Sequence, residues 1–515
     1  MALGFWNVAQ AHPNKVFLVE PDGTEHTGAE LVEASNRLAH ALKDLGLEPG
    51  DVVASLLPNS AVYVQLYLAC FRTGLYLTPI NYHLAPPEVA YIVNDSGAKA
   101  FFTSERFADL ATKAATEISV PANARISDGE IEGFRTVDEL IEGASTELPQ
   151  SDVAGNTMHY TSGTTGQPKG VKRALAQIDP DTMGEMMTFM ISLFGIQPEG
   201  DEVHLVVAPC YHTAVTIFGM GSLHMGHKIV LMDRWTPEEC LDAIDHHQVT
   251  HSHMVPTMFH RMLALPQEVR ERYDVSSMTH AIHSAAPCPV EIKQEMLAWW
   301  GNSIYEYYGA TEGGGTLVTP EQWRQKPGTV GTPWPISTIK IFDDDGNEQP
   351  PGEVGTVWMS MGEYSFEYKG DKEKTDKSWR DGFFTVGDAG YLDEDGWLFL
   401  VDRKADMIIA GGVNIYPAEI EAALLTHPDV GDAAVFGVPD DDLGEQIKAV
   451  IEPTAGVAAD DATRERVMDH LRARLGKQKW PRSIDFIDEM PRDPNGKLYK
   501  RKLRDPYWEG RTRLI

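Results

Sequence analysis

Residues 160–170 read Tyr160-Thr-Ser-Gly-Thr-Thr-Gly-Gln-Pro-Lys-Gly170. The glycines Gly163, Gly166 and Gly170 let backbone N–H groups turn toward a ligand. Thr161, Ser162, Thr164 and Thr165 add hydroxyl donors, and Lys169 adds a positive charge. A phosphate chain needs this combination, although the same composition also describes a flexible Ser/Thr/Gly linker. The pattern GxxxxGK[ST] is not met, because Pro168 precedes the lysine and Gly170 follows it, so an ordinary P-loop nucleoside triphosphatase is disfavoured.

On both sides of this loop, short β-like runs alternate with helical stretches. Asp51-Val-Val-Ala-Ser-Leu-Leu57 reads as a strand, and Ser60 to Arg72 reads as a helix with Val62, Leu66, Ala69 and Cys70 on one face. Strand–helix pairs follow at 203–208 and 213–223, 228–232 and 237–246, 250–255 and 256–263, and 280–284 and 289–300. Repeated units of this kind predict an α/β fold with parallel-rich sheets covered by helices. From about Thr332 the strands crowd together, separated by turns such as Asp343-Asp-Asp-Gly346 and Asp393-Glu-Asp-Gly396, which predicts a small antiparallel β unit. A final segment reads helix from Pro417, strand, strand, helix, strand, enough for a small α+β domain. The joint falls around Asp402–Asp406, giving an N-terminal domain over residues 1–402 and a C-terminal domain over 403–515.

A length of 515 residues fits more than one domain, and 42% apolar residues exclude disorder for the bulk of the chain. The net charge of −32 (44 basic against 76 acidic residues) argues against nucleic acid or an anionic membrane as partner. Cys70, Cys210, Cys240 and Cys288 form no CxxC pair, and no apolar run is long enough to span a membrane, so a cytoplasmic protein without integral membrane association is expected. The start of the chain lacks the basic and apolar regions of a signal peptide. Against the overall charge, residues 472–504 carry eleven bases and four acids, a local +7. This is either a solvated helix face and tail or a surface for an anionic ligand.

Four further motifs follow the loop in order. They are His283-Ser-Ala-Ala-Pro287, Tyr308-Gly-Ala-Thr-Glu312, Gly387-Asp388 with Asp402-Arg403, and Pro491-Arg-Asp-Pro-Asn-Gly-Lys497. Tyr308 offers a flat ring, Glu312 a hard oxygen ligand, Asp388 an acceptor for vicinal hydroxyls, Arg403 a bridge to phosphate, and Lys497 a cation at the tip of a tight turn. Each motif alone is common in turns and strand ends. As a set spanning Tyr160 to Lys497, they resemble the adenylate-forming enzymes: acyl-CoA synthetases, non-ribosomal adenylation domains and luciferases. Among these the chain is most like a bacterial fatty-acyl-CoA ligase.

The resemblance implies two half-reactions. A carboxylate attacks the α-phosphate of Mg·ATP, giving acyl-adenylate and pyrophosphate; the acyl group then passes to the thiol of CoA. It implies a phosphate cradle from Thr161, Ser162, Gly163, Thr164, Thr165, Gly166 and Lys169, and adenine against Ser284, Ala285, Ala286, Tyr308 and Gly309. Ribose falls to Asp388 and Arg403, Mg²⁺ to Glu312, and the reacting phosphate and carboxylate to Thr311, Lys497 and His212. The C-terminal domain is implied to be mobile, withdrawing Lys497 and presenting Gly411 and Gly412 to CoA, with the basic tail near the CoA phosphates.

For the acid itself, Thr213-Ala-Val-Thr-Ile-Phe-Gly-Met-Gly221 offers small and apolar side chains, with Gly219 and Gly221 expected to leave depth. No charge there matches an ammonium group, so an apolar acid, most simply a fatty acid, is expected. The alternatives are an acyl-AMP ligase that loads a carrier protein and a non-catalytic nucleotide-binding relative; the oligomeric state is left open, a homodimer among the options. Three positions depart from the family pattern. Ala405 stands where the hinge usually has Asp or Lys, Val171-Lys-Arg173 where many relatives have Ser-His or Thr-His, and Leu443 where an aromatic is frequent. His246, His247, His251 and His253 suggest zinc, but without Cys or HExxH they read as packed or solvated. His212 has a competing reading as a cap for the helix that follows it.

Overall fold

The computed structural model describes residues 2–161, 168–198, 200–362, 365–493 and 496–509. They fall into two compact units. The first comprises residues 1–253, 273–280 and 363–377, and the second comprises 254–272, 281–362 and 378–515.

In the first unit, six strands pair in parallel in the order Arg135–Thr136, Arg125–Asp128, Ala98–Ser104, Val52–Leu56, Tyr76–Pro79, Asn156–Thr157. Val52–Leu56 is buried along its whole length, as a strand covered on both faces must be. The neighbouring helix Ala61–Arg72 starts where the sequence places it, because the Ser60 hydroxyl accepts the Tyr63 N–H. A second run orders Glu25–Thr27, Val16–Val19, Lys228–Leu231, Val203–Val206 and His251–Met254, parallel apart from the first pairing. The helices Thr213–Met225 and Pro237–His247 follow strands of this run.

In the second unit, His280–His283 and Ile304–Ala310 pair in parallel. The chain then reverses, so that Gly313–Val318 and Thr332–Pro333 continue antiparallel. The expected antiparallel unit is present as Thr338–Phe342, Gly355–Ser360, Phe383–Phe384, Asp388–Leu392 and Leu398–Arg403. The C-terminal segment folds as predicted. Strands Val430–Asp440 and Gly444–Pro453 form a long hairpin, Ser483–Phe486 adds in parallel, and helices Pro417–Leu425 and Asp461–Arg472 accompany it. Alternation along the first strand builds two cores. Ala433 and Val435 join Ile420, Leu424, Val467 and Leu471 on one side. Ala434, Phe436 and Val438 pack with Met490, Leu498 and Leu503 on the other.

No helix among the described residues is long and apolar enough to cross a membrane. Of the basic tail, Lys479 pairs with Glu419, Arg492 with Asp432, Lys500 with Glu421, and Arg504 with Asp406. Much of the local +7 is therefore spent inside the fold.

Candidate active site

The phosphate-loop candidates Ser162, Gly163, Thr164, Thr165 and Gly166 lie outside the described residues. The ends that carry them are described. Thr161 pairs with Lys169 and Tyr160 with Gly170 in an antiparallel ladder. The Tyr160 hydroxyl donates to Asp95 at 2.6 Å. Its ring packs against Gly170, where a Cβ would stand 3.0 Å from it. Lys169 Nζ stands 3.6 Å from Asp371 Oδ2, and Lys369 donates its N–H to the Gly170 carbonyl at 2.8 Å.

His212, also in the first unit, is the N-cap residue of the helix Thr213–Met225, but its side chain makes no capping hydrogen bond. The competing reading of this histidine as a cap is thereby removed. Its ring packs on Tyr211, centroids 4.4 Å apart. The helix behind it buries Val215, Phe218 and Met220 and carries no charge, since burial pushes its one histidine, His224, down to about 4. The expected depth at Gly221 is a correction. A Cβ there would stand 2.9 Å from Ile191 Cδ1, so this glycine is used for close helix contact rather than for space.

In the second unit, Tyr308 lies near the end of the strand Ile304–Ala310 and is 9% exposed; its hydroxyl donates to Asp388 Oδ2 at 2.7 Å. Arg403 Nε stands 3.5 Å from Asp388 Oδ1, and Asp388 pairs with Arg403 across adjacent strands. The aromatic and the two polar candidates for the nucleoside therefore form one connected group. Gly309 follows Tyr308 on the same strand, at the turn into Gly313–Val318. Ser284, Ala285 and Ala286 follow the strand His280–His283. Ser284 hydrogen-bonds Tyr307, and Ala285 adopts φ 73°, a left-handed conformation that costs a non-glycine residue about 1 kcal/mol. Backbone strain of this size is concentrated at functional sites.

Thr311 is half-buried and Glu312 is buried at 7% exposure. No group of three or more His, Cys, Asp or Glu able to hold a metal occurs among the described residues, the four histidines at 246–253 included. His251 and His253 are packed in a strand, as expected. A single carboxylate such as Glu312 does not suit an all-protein cage, but it fits Mg²⁺ already chelated by substrate phosphates.

Lys497 lies half-buried in the same unit. Burial pushes its ammonium below the ordinary lysine range, and Arg403 acts in the same direction; the carboxylates of Asp493, Glu312 and Asp388 oppose this. The loop holding it is fixed by Arg492, whose guanidinium makes a bidentate pair with buried Asp432 (2.5 and 2.8 Å) and donates to the Gly496 carbonyl at 2.7 Å. Gly496 has φ 75°, and a Cβ there would fall 2.5 Å from Thr257 Oγ1, so only glycine fits. Arg492 and Asp432 escaped the sequence reading. The arginine sits within a recognised motif, but its partner lies 60 residues away.

Gly411 and Gly412 are exposed, with φ of 59° and 79°. They form a two-residue turn between Ile408–Ala410 and Val413–Ile415, the primed geometry that needs left-handed backbone at both positions. Leu443 packs on this turn, its carbonyl accepting the Gly411 N–H at 2.8 Å.

A family model described as AMP-binding enzyme matches residues 5–365, and one described as AMP-binding enzyme C-terminal domain matches residues 419–497. The chain is 32% identical over 505 residues to a fatty acid–[acyl-carrier-protein] ligase, ScoC, of Streptomyces coeruleorubidus, covering 96% of this chain and 94% of that one. It is 33% identical over 510 residues to a feruloyl-CoA synthase of an Amycolatopsis species, covering 98% of each. Among solved structures it is similar to the anthranilate CoA ligase AuaEII in complex with anthranoyl-AMP, with TM-score 0.86, 25% identity and 98% of both chains covered. The chain belongs to the AMP-binding enzymes, the adenylate-forming family of acyl ligases.

Proposed function

We propose that this chain activates an apolar carboxylic acid, most simply a fatty acid, as its acyl-adenylate and transfers the acyl group to CoA. The observation that carries the reading is the grouping of Tyr308, Asp388, Arg403 and Glu312 with Lys497 in one unit. Such a grouping supports a nucleoside-binding surface with a lysine beside it. Attack of a carboxylate on the α-phosphate builds charge on phosphate oxygens and needs no protein nucleophile. Lys497 and Thr311 oppose that charge, while Asp388 and Arg403 orient the ribose and Tyr308 the base. Mg²⁺, held by Glu312 and the phosphates, supplies Lewis-acid stabilisation when bound.

In this reading residues 403–515 form the mobile domain that carries Lys497 toward and away from the adenylate, and the Gly411–Gly412 turn leaves room for the pantetheine arm. The uncharged helix Thr213–Met225, with His212 at its start, supports an apolar acid. A carrier-protein thiol as acceptor is the second reading, supported by the likeness to a fatty acid–[acyl-carrier-protein] ligase.

One incubation with Mg·ATP, CoA and a mixed panel of carboxylic acids, read by mass spectrometry, tests both readings. Acyl-CoA with AMP is the expected result. Acyl-adenylate without thioester would move the assignment to carrier loading. No AMP with any acid would refute it.

A further inference from the structure

Asp402 is the penultimate residue of the strand Leu398–Arg403, just before the turn that leads into the C-terminal segment. Its carboxylate is fully engaged. Oδ1 accepts the Arg403 N–H at 2.6 Å and Oδ2 accepts the Ala418 N–H at 2.8 Å. Ala418 belongs to the first turn of the helix Pro417–Leu425, whose own N-cap residue, Tyr416, provides no side-chain cap. Asp402 therefore caps that helix from sixteen residues upstream, across the turn. Lys500, paired with Glu421 at 2.8 Å, adds positive charge beside Asp402. Through the Lys500–Glu421 pair the capped helix is tied to the stretch that follows Lys497. Lys500 lies three residues beyond Lys497, and Leu498 and Leu503 anchor that stretch under the C-terminal sheet.

The cap depends on the path of the chain between its two ends. The turn holds Lys404 N–H on the Gly387 carbonyl (3.0 Å) and Asp406 N–H on the Arg403 carbonyl (2.9 Å). Rotating the backbone at Lys404–Ala405 carries the helix and the Lys497 loop away from Asp402 together. The Asp402 carboxylate acts on this turn together with the ion pairs Lys404–Asp344 and Arg504–Asp406.

We propose that Asp402 is a positioning residue for Lys497: its carboxylate, by capping the helix Pro417–Leu425 across the turn, clamps the arrangement in which Lys497 serves adenylation. Release of this clamp accompanies acyl transfer. The proposal rests on the two-step reading above. It gives the hinge a preferred state, adenylation first, without a charged hinge residue.

The test compares wild type, Asp402→Asn and Asp402→Ala as full-length protein in three measurements. The first is ATP–pyrophosphate exchange with decanoate and ferulate. The second is thioester formation from supplied decanoyl-adenylate and CoA. The third is amide hydrogen exchange without ligands. In Asp402→Ala, exchange should fall about tenfold relative to thioester formation, the scale of a lost cap. Asp402→Asn, which keeps an oxygen acceptor, should fall between. Amides 496–500 and 418–421 should lose protection while the strands Val430–Asp440 and Gly444–Pro453 keep theirs. Equal loss in both half-reactions, or unchanged protection at 496–500, would overturn the clamp. If wild type shows no exchange with either acid and the broader acid panel also yields no AMP, the functional reading fails, and the hydrogen-exchange comparison still decides the clamp.

Discussion

Acid should unfold the first unit well before its carboxylates titrate, through six buried histidines: His159, His204, His224, His227, His251 and His253, each at most 3% exposed. Burial pushes the first two and His253 down to about 3, His224 and His227 down to about 4, and His251 well below the usual imidazole value. All six are neutral in the folded chain at pH 5, whereas each takes up nearly one proton once unfolded, around a pKa of about 6.5. Folded values below the unfolded one give stability that is complete above about pH 6.5 and lost as pH falls. Between pH 6.5 and 5 the loss is at most about 10 kcal/mol for the set. That is comparable to the whole stability of a typical domain, about 5–15 kcal/mol. Urea unfolding followed from pH 7.5 to 5.0 should show an uptake approaching about six protons near pH 5. His253→Phe, which keeps a ring against Phe218 (centroids 5.1 Å apart), should reduce it by about one. An uptake below about two protons, or imidazole resonances of these residues titrating near pH 6.5, would refute the reasoning.

Three other outcomes are expected. Lys497→Ala should lower ATP–pyrophosphate exchange by about 100-fold or more while leaving thioester formation from supplied acyl-adenylate near wild type, and in the native enzyme exchange should decline with rising pH before ordinary lysines titrate. Asp432→Ala, which strands the buried Arg492 guanidinium, should cost about 3–5 kcal/mol in urea unfolding of the second unit. Arg501→Ala with Lys502→Ala should raise the KM for CoA several-fold and leave that for ATP unchanged; an unaltered CoA KM would remove the basic tail from thiol-substrate binding.

The α/β architecture was legible because its signals are local. Ser60 before an apolar helix, Pro237 and Pro256 at helix starts, and unbroken apolar strands such as Val52–Leu56 each encode their element within a few residues. The nucleotide motifs were legible for the same reason. What stayed hidden depends on distant partners. The charge of 472–504 resembled one anion-binding surface until Glu419, Glu421, Asp406 and Asp432 claimed part of it. Gly221 suggested space until Ile191 filled it. Asp402, read as the neighbour of Arg403 and as the start of the domain joint, caps a helix that begins fifteen residues later.

In the proposed reading, where Lys169 meets the phosphates of ATP, its pair with Asp371 is an internal counter-ion. A triphosphate arriving there exchanges one anion for another rather than meeting a bare cation, so the net charge neutralised on binding is smaller than the lysine alone suggests. Nucleotide affinity should then be less sensitive to ionic strength than in a loop without the carboxylate. On that reading, a weak anion such as free phosphate would have to displace a tethered competitor, which would favour ligands that bring several phosphate oxygens at once.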